Sequence, residues 1–188
     1  AISPKPHLLL AEVDPVARAL ALNMGFAEQD IKGDFNDLLS RADIVDIVSS
    51  SNSHYSIAAA ALLKRIPTII EKPAVKLLTE AKRLSELSIK NNTPVQIQFV
   101  LRAHPLVIEA KEILNTGEIG NLKAMDGVFT GWKRMRSDST ILENDGVHML
   151  DLMRFFSEGK PNSFETTGDK LLGGIVPDII HLRLNYPR

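Results

Sequence analysis

The alternation of short apolar runs with helical stretches is the sequence feature that most constrains the fold. Most of the runs are rich in β-branched residues and are bounded by Pro, Ser or Asn, which is typical of buried strands. The first run ends in Asp14-Pro15, where the Pro can open a helix. Strands that alternate with helices predict an α/β fold with a parallel sheet and right-handed crossovers. The predicted strands span 7–13, 43–48, 67–70 and 94–99, and the predicted helices span 53–64 and 77–91.

The pattern changes after Phe99, which predicts a second, α+β domain. We place the boundary near residue 100, with one domain at 1–100 and the next at 101–188. Gly117 is expected to stop the first helix of the second domain. The predicted elements there are a helix at 105–114, a strand-like run up to Trp132, a helix that starts near Asp145, and extended stretches at 163–167 and 178–186.

The composition excludes several classes of protein. With 44% apolar residues, the 188-residue chain can bury a proper core, which excludes a disordered protein. The 22 Lys and Arg balance 23 Asp and Glu, so no overall field favours nucleic acid or an anionic membrane. The longest apolar stretch, Ile57 to Leu63, is far short of the roughly 20 residues that span a bilayer. The absence of Cys excludes disulfides and thiolate catalysis, and it suits a cytoplasmic protein.

Ionisable and polar residues follow the predicted strands at their carboxyl ends, where parallel sheets bind ligands. Asp14 could bind the hydroxyls of an adenosine ribose, although an Asp before Pro15 is also typical of a helix cap. Lys72 could place an ammonium group in the cleft, or could lie solvated at a surface turn. The strand ends are Asp14, Ser49-Ser50-Ser51-Asn52-Ser53-His54, Glu71-Lys72-Pro73 and the segment 100–104.

A second group of residues surrounds His148. Asn144 is expected to cap a helix with His148 in its first turn, where exposed backbone amides disfavour a charged imidazole. Asp151, three residues on, shares that helix face and would stabilise the charged ring. A neutral ring suits a general base, and the alternative is a His that only stabilises the helix start. His148 and Asp151 lack a third ligand nearby, so no metal site is predicted.

Together these motifs closely resemble the glucose-fructose oxidoreductase/inositol dehydrogenase/MocA (Gfo/Idh/MocA) family in order and spacing. The resemblance implies an NAD(P)-binding Rossmann domain, then an α/β domain with an open antiparallel sheet, and oxidoreductase activity on sugars, cyclitols or nucleotide sugars. It covers the family's middle portion, without the first strand, its Gly-rich turn or most of the C-terminal sheet, so we expect the sequence to be incomplete at both ends. The motifs are Ser49 to His54, Glu71-Lys72-Pro73, Arg102-Ala103-His104-Pro105, Thr116 to Gly120, and Asn144-x-Gly146-x-His148-x-x-Asp151.

The resemblance also implies roles for single residues. Asp14 matches the residue that binds adenosine ribose, which implies NAD, with NADP not excluded. Lys72 matches a residue between nicotinamide and substrate, and His148 matches the catalytic His. Asn144 replaces an Asp that is usual in polyol dehydrogenases, which leaves the substrate class open. The other cofactor-binding residues implied in this way are Ser49, Ser50, Ser51, His54, Glu71 and Arg102.

Our leading hypothesis is reversible oxidation of a secondary alcohol by a nicotinamide cofactor. His148 would accept the hydroxyl proton, Lys72 would stabilise the developing alkoxide, and Asn144 would orient the substrate through its amide. Trp132 or Arg134 would line the substrate cleft, unless their basic run is a solvated loop. The alternatives are a non-catalytic sensor that binds dinucleotide or sugar, and an NAD-dependent, redox-assisted glycoside hydrolase. An unpaired sheet edge in the second domain predicts a homo-dimer or homo-tetramer.

Overall fold

The structure is a computed structural model that describes residues 5–131, 140–172 and 175–187. The chain forms two compact units, the first ending at Gln98 and the second beginning at Phe99. The predicted boundary near residue 100 lies close to this division. Among the described residues, no helix is long and apolar enough to cross a membrane.

The first unit has the α/β architecture that the alternation predicts. Its elements are β1 (Leu10–Ala11), α1 (Pro15–Asn23), β2 (Ile31–Lys32), β3 (Val45–Ile47), α2 (His54–Leu63), β4 (Thr68–Glu71), α3 (Leu78–Asn91) and β5 (Val95–Gln98). Strand β1 pairs with β2, and β3, β4 and β5 form a three-stranded sheet in that order. Every pair is parallel, so the carboxyl ends of the strands lie at the same edge of each sheet.

Local sequence signals explain where the helices of this unit begin. Helix α1 begins at Pro15 behind Asp14, whose side chain accepts a hydrogen bond of 2.8 Å from the backbone N–H of Val16. Helix α3 begins after Leu77, whose N–H donates to the side chain of Glu80 over 3.3 Å. The core between the three-stranded sheet and helices α2 and α3 consists of Ile47, Ala58, Leu62, Ile70 and Leu84.

Strand β2 is absent from the sequence-based prediction, and β1 is shorter than predicted. The segment around Ile31 and Lys32 is polar and has no alternation, so it carries no strand pattern. It forms a strand because Leu10 and Ala11 provide backbone partners for it. Only those two residues of the apolar run 7–13 are paired, since a strand extends only as far as its partner does.

The second unit combines helices with an antiparallel hairpin. Its elements are a 3₁₀ turn (Val100–Ala103), α4 (Pro105–Thr116), a π-helical turn (Leu142–Gly146), α5 (Val147–Ser157), β6 (Ser163–Asp169) and β7 (Ile179–Asn185). Gly117 ends α4 in the left-handed conformation at φ 74°, as expected for a glycine stop. Strands β6 and β7 pair along their whole length and confirm the two predicted extended stretches.

The strand-like run that was predicted before Trp132 is not a strand in its described part. Residues 121–131 contain no regular secondary structure, because they have no backbone ladder with another described segment. The run approaches α5 at Gly127 instead. A Cβ at Gly127 would lie 2.8 Å from Sδ of Met149, so a larger residue there would require the Met149 side chain to shift.

Candidate functional site

Lys72 lies directly after β4, at the carboxyl end of the three-stranded sheet. It is half-buried, as are its neighbours Glu71 and Pro73, and the peptide bond between Lys72 and Pro73 is cis. The N–H of Lys72 donates to the Glu71 carboxylate over 3.2 Å. The turn therefore places Glu71 and Lys72 at the edge where parallel sheets bind ligands, with the Glu71 carboxylate bound to the Lys72 backbone.

His54 connects this turn to the turn after β3. Its Nδ1 lies 2.9 Å from the carbonyl oxygen of Pro73, and its Nε2 lies 3.0 Å from the carbonyl oxygen of Ser49. The residue is only 1% exposed. The structure places His54 between the two turns, with each ring nitrogen within hydrogen-bond distance of a backbone carbonyl. That His54 also binds the cofactor, as the resemblance implies, stays a prediction.

The serine-rich turn after β3 is held by its own hydroxyl groups. Ser53 Oγ donates to the carbonyl oxygen of Ser50 over 2.8 Å. Because its single hydroxyl proton is used there, the 2.7 Å bond between Ser49 and Ser53 must be donated by Ser49. Ser49 and Ser50 are exposed and Ser51 is half-buried, so the turn displays hydroxyls and backbone groups toward solvent.

The turn between β1 and α1 carries two carboxylates. Asp14 caps α1, which confirms the helix-cap interpretation of the sequence. Glu12 is the first residue after β1, and its Oε1 accepts a 2.8 Å bond from the N–H of Asp14. Arg18 closes the turn, because its Nη1 donates to the carbonyl oxygens of Glu12 and Val13 over 2.7 and 2.9 Å.

Glu12 is missing from the sequence-based candidates, although a signal for it is present. It lies inside the run 7–13 but directly after four apolar residues, Leu8 to Ala11, and an acidic residue at the end of a strand reaches an adenosine ribose in dinucleotide-binding sheets. Asp14 is two residues further on and precedes a proline, which is the pattern of a cap. In the structure Glu12 lies closer to the strand end than Asp14 does.

The donors and acceptors at these strand ends fit part of a dinucleotide. The carboxylates after β1 suit ribose hydroxyls, and the hydroxyls and amides after β3 suit polar ligand groups. The sequence contains no G-x-G-x-x-G turn, which is the usual site for the pyrophosphate. The residues present therefore fit the adenosine ribose and the nicotinamide side, and none of them is assigned to the phosphates.

His148 lies further inside its helix than the sequence predicts. The backbone is helical from Ile141, and Thr140 and Glu143 form reciprocal capping bonds there. The N–H of Thr140 donates to Glu143 over 2.7 Å, and the N–H of Glu143 donates to Thr140 Oγ1 over 3.2 Å. Asn144 is inside the π-helical turn and does not cap a helix.

The prediction that exposed backbone amides disfavour a charged His148 ring is therefore wrong. The unpaired amides of a helix lie in its first turn, which here is at the start of the π-helical turn, one turn before His148. The cue that was overlooked is the pattern T-x-x-E at Thr140 to Glu143. His148 is half-buried, and its Nδ1 is shielded from solvent.

Asp151 is bound to Arg102 by two hydrogen bonds. Arg102 Nε donates to Asp151 Oδ2 over 2.7 Å, and Nη2 donates to Oδ1 over 2.6 Å. These bonds raise the pKa of Arg102 above its ordinary value. Asp151 was expected to stabilise a charged His148, but both of its oxygens are used by Arg102, which neutralises the carboxylate. Whether Arg102 also binds the cofactor stays a prediction.

Trp132 and Arg134, which were predicted to line the substrate cleft, lie outside the described residues. Within 5–131, 140–172 and 175–187, no group of three His, Cys, Asp or Glu side chains is arranged to hold a metal ion.

Comparisons with known proteins agree with this geometry. Residues 11–99 match the profile of an oxidoreductase family with an NAD-binding Rossmann fold. The chain is 28% identical over 119 residues to inositol 2-dehydrogenase 2 of Saccharopolyspora erythraea, covering 62% of this chain and 35% of that protein. It is 27% identical over 121 residues to D-apiose dehydrogenase of Rhizobium rhizogenes, covering 60% of this chain and 35% of that protein.

Solved structures share the fold. An inositol dehydrogenase homologue of Azotobacter vinelandii, complexed with NADH and myo-inositol, superposes with a TM-score of 0.77 at 19% identity. The match covers 94% of this chain and 52% of the solved chain. The chain thus spans about a third of the curated relatives and about half of the solved structure.

Proposed function

Since this chain belongs to the Gfo/Idh/MocA oxidoreductase family through residues 11–99, its NAD-binding Rossmann domain, we propose that it is part of an NAD-dependent dehydrogenase. The substrate is a secondary alcohol of a sugar, cyclitol or nucleotide sugar. The observation that carries the proposal is Lys72 at the carboxyl end of β4, in a turn that a buried His54 joins to the serine-rich turn after β3. The names of the relatives, an inositol and an apiose dehydrogenase, support the substrate class.

Three groups of residues are proposed to hold the cofactor. Glu12 takes the ribose hydroxyls, with Asp14 beside it as the cap of α1. Ser49, Ser50 and Ser51 contact the cofactor through hydroxyl and amide groups, and Lys72 lies near the nicotinamide. When bound, NAD supplies the hydride acceptor for oxidation of an alcohol. A carboxylate at the ribose favours NAD over NADP, because a 2′-phosphate would be repelled.

Lys72 and His148 are proposed to share the work of removing the hydroxyl proton. Full transfer of an alcohol proton to an imidazole is uphill by roughly 12 kcal/mol, because the pKa of an alcohol lies far above that of a His. A cation about 4 Å from the developing alkoxide contributes roughly 4 kcal/mol at an effective dielectric near 20. A positioned base adds about 3 to 5 kcal/mol. Proton loss therefore accompanies hydride departure, with Lys72 as the cation and His148 as the base.

Asn144 is proposed to orient the substrate. Its amide can both donate to and accept from a hydroxyl, but it has no site that takes up a proton at neutral pH. Asn144 lies in the π-helical turn before His148. Because its amide takes up no proton, the proposed proton relay ends at His148.

The second unit is proposed to mediate a homo-dimer or homo-tetramer through its sheet. All residues of β6 are exposed, and Phe164 on that strand is 67% exposed. An exposed strand with an aromatic side chain is a surface that a second copy of the chain, or further strands of the same chain, would cover. Sedimentation velocity of the full-length protein and of Phe164→Glu tests this, and a monomeric wild type would disprove it.

The experiment that tests the proposed function is a titration of the full-length protein with NAD and NADP, followed by a panel of sugars, cyclitols and nucleotide sugars. Formation of NADH absorbance with one substrate class supports the dehydrogenase. NAD binding without turnover of any substrate favours a sensor, and glycoside cleavage without net NADH favours the redox-assisted hydrolase. Failure to bind either dinucleotide would overturn the proposal.

A further inference from the structure

Arg102 contacts α5 on two successive turns. Its guanidinium makes the two bonds to Asp151, whose side chain is only 6% exposed. The same group lies 5.0 Å from the ring centroid of Phe155, four residues further along the helix. Planar guanidinium groups stack on aromatic faces and bind carboxylates in a fixed fork. Two contacts on one helix face therefore fix the rotation of α5 relative to the 3₁₀ turn that carries Arg102.

His148 lies between Asp151, which Arg102 binds, and an irregular part of the helix. The π-helical turn Leu142–Gly146 precedes it directly, and such turns are rare and often occur at functional sites. A Cβ on Gly146 would lie 2.7 Å from Cδ1 of Leu142, so the turn is tightly packed. The helix is capped before the turn by Thr140 and Glu143. After His148, the two bonds from Arg102 to Asp151 are the first ion pair that secures α5.

The charges around α5 give Arg102 an electrostatic role as well. Asp145 and Asp151 lie three residues before and after His148, within side-chain reach on a helix. Glu143 is bound to Thr140. Other charged groups near α5 in this unit include Arg154 on α5 itself, Lys111, which bonds Glu158 and the carbonyl oxygen of Phe156, and Asp126 beside Gly127. Arg102 is the cation that bonds the carboxylate one turn after His148.

We propose that Arg102 is a positioning residue for His148, acting through Asp151. It holds α5 in one orientation, and it keeps the Asp151 carboxylate bound to itself and away from the imidazole. Without Arg102, a nearly buried carboxylate would be left one helical turn from His148 and would favour the charged ring. A charged ring accepts no proton. This inference rests on the proposed function, in which His148 is the base.

The first test measures His148 directly by NMR, in full-length protein with isotope-labelled His, across a pH series. The His148 signal is assigned by its loss in His148→Gln. In Arg102→Met, the pH midpoint of the His148 ring should rise by about one unit, because the unpaired Asp151 carboxylate stabilises the charged form. Arg102→Lys should shift it less, and Arg102→Met combined with Asp151→Asn should return it toward the wild-type value.

The matched control is Arg154→Met, which removes an exposed Arg from the same helix.

The second test measures kcat and KM. Arg102→Met should lower kcat about tenfold near neutral pH with little change in KM, and should recover at higher pH as His148 loses its proton. Equal effects of Arg102→Met and Arg154→Met on the His148 midpoint would overturn the inference. If Arg102→Met does not fold, the Arg102→Lys variant decides. A His148 midpoint in Arg102→Lys equal to that of the wild type would overturn the inference.

The two tests separate this inference from the proposed function. A wild-type protein that binds NAD but turns over no alcohol contradicts the proposed function, while the NMR midpoint still decides whether Arg102 controls His148. A shifted midpoint without a change in kcat shows that the pair acts on His148 but that His148 is not the base.

Discussion

Lys72 and His148, the two groups proposed to carry the chemistry, are held in place in different ways. The turn that carries Lys72 is bound through backbone carbonyls to the buried ring of His54. The helix that carries His148 is secured by an ion pair between side chains, Arg102 and Asp151, which are 49 residues apart. Strand order, which the sequence pattern predicts, places Lys72 at a strand end. The contacts of His54 and the pair between Arg102 and Asp151 depend on residues distant in the chain meeting, which no local sequence pattern predicts.

Of the variants that test this comparison, His54→Ala is expected to have the largest effect, a loss of stability. It removes the imidazole whose two nitrogens lie 2.9 and 3.0 Å from the carbonyl oxygens of Pro73 and Ser49, and it opens a cavity at a residue that is 1% exposed. We expect the first unit to lose about 3 kcal/mol of unfolding free energy. Urea denaturation followed by hydrogen exchange of peptides from the first unit measures it.

The control for His54→Ala is Ser56→Ala, which lies on the same helix turn and is exposed. Its one side-chain bond, to the carbonyl of Ser53, is at the surface, so the loss should stay below about 0.5 kcal/mol. Exchange in His54→Ala should rise in both turns, after β3 and after β4. A rise confined to one turn would contradict the role of His54 as a joint between them.

The next largest effect is expected from Lys72→Met, which tests the group that the turn presents. Loss of the cation should slow the chemical step about a hundredfold, with NAD affinity nearly unchanged. The matched control is Lys82→Met on the exposed face of α3, which should leave turnover unchanged. Single-turnover kinetics with the responding alcohol measure the effect, and an unchanged rate in Lys72→Met removes the residue from the mechanism.

A smaller effect distinguishes the two carboxylates after β1. Asp14→Ala should cost about 1 kcal/mol through loss of the cap of α1, with little change in NAD affinity. Glu12→Gln should weaken NAD binding about tenfold without that loss of stability, because the carboxylate is proposed to contact the ribose and does not cap the helix. Thermal melts and NAD titrations of both variants decide the matter. The reverse outcome would return the ribose role to Asp14.

The smallest effect concerns Asp30, a second buried carboxylate paired with an Arg. His7 donates to it over 2.6 Å, and Arg41 also bonds it. The hydrogen bond from His7, followed by that from Arg41, lowers the pKa of Asp30 below its ordinary 3.8. A lowered folded-state pKa gives stability that is present above the unfolded value and is lost as the pH falls through the folded value.

His7→Ala should therefore be less stable than wild type near neutral pH, and the difference should shrink only as the pH falls below about 4, through the lowered pKa of Asp30. Thermal melts across that range measure it, with His181→Ala on the exposed face of β7 as the control. A difference that stays constant with pH would show that His7 acts by packing and not through Asp30. Asp30 lies before β2, so turnover should not change beyond the loss of stability.

The first unit was largely predictable, and the second much less so. Runs rich in β-branched residues, bounded by Pro or Ser, predicted β3, β4 and β5, since these strands carry that pattern in their own residues. The strand at Ile31 was missed because it depends on a partner and not on its own residues. The start of the His148 helix was misplaced because an Asx-type residue, Asn144, was preferred over the Thr140 to Glu143 capping pattern.

The sequence by itself determined the alternation of strand and helix, the position of Lys72 at a strand end and the cap at Asp14, because each follows from residues close together in the chain. Only the tertiary structure decided that His54 is buried between two carbonyls and that Asp151 belongs to Arg102 and not to His148. The reason is physical. A side chain binds the partner that packing brings within reach, and for a buried group that partner is set by distant parts of the chain.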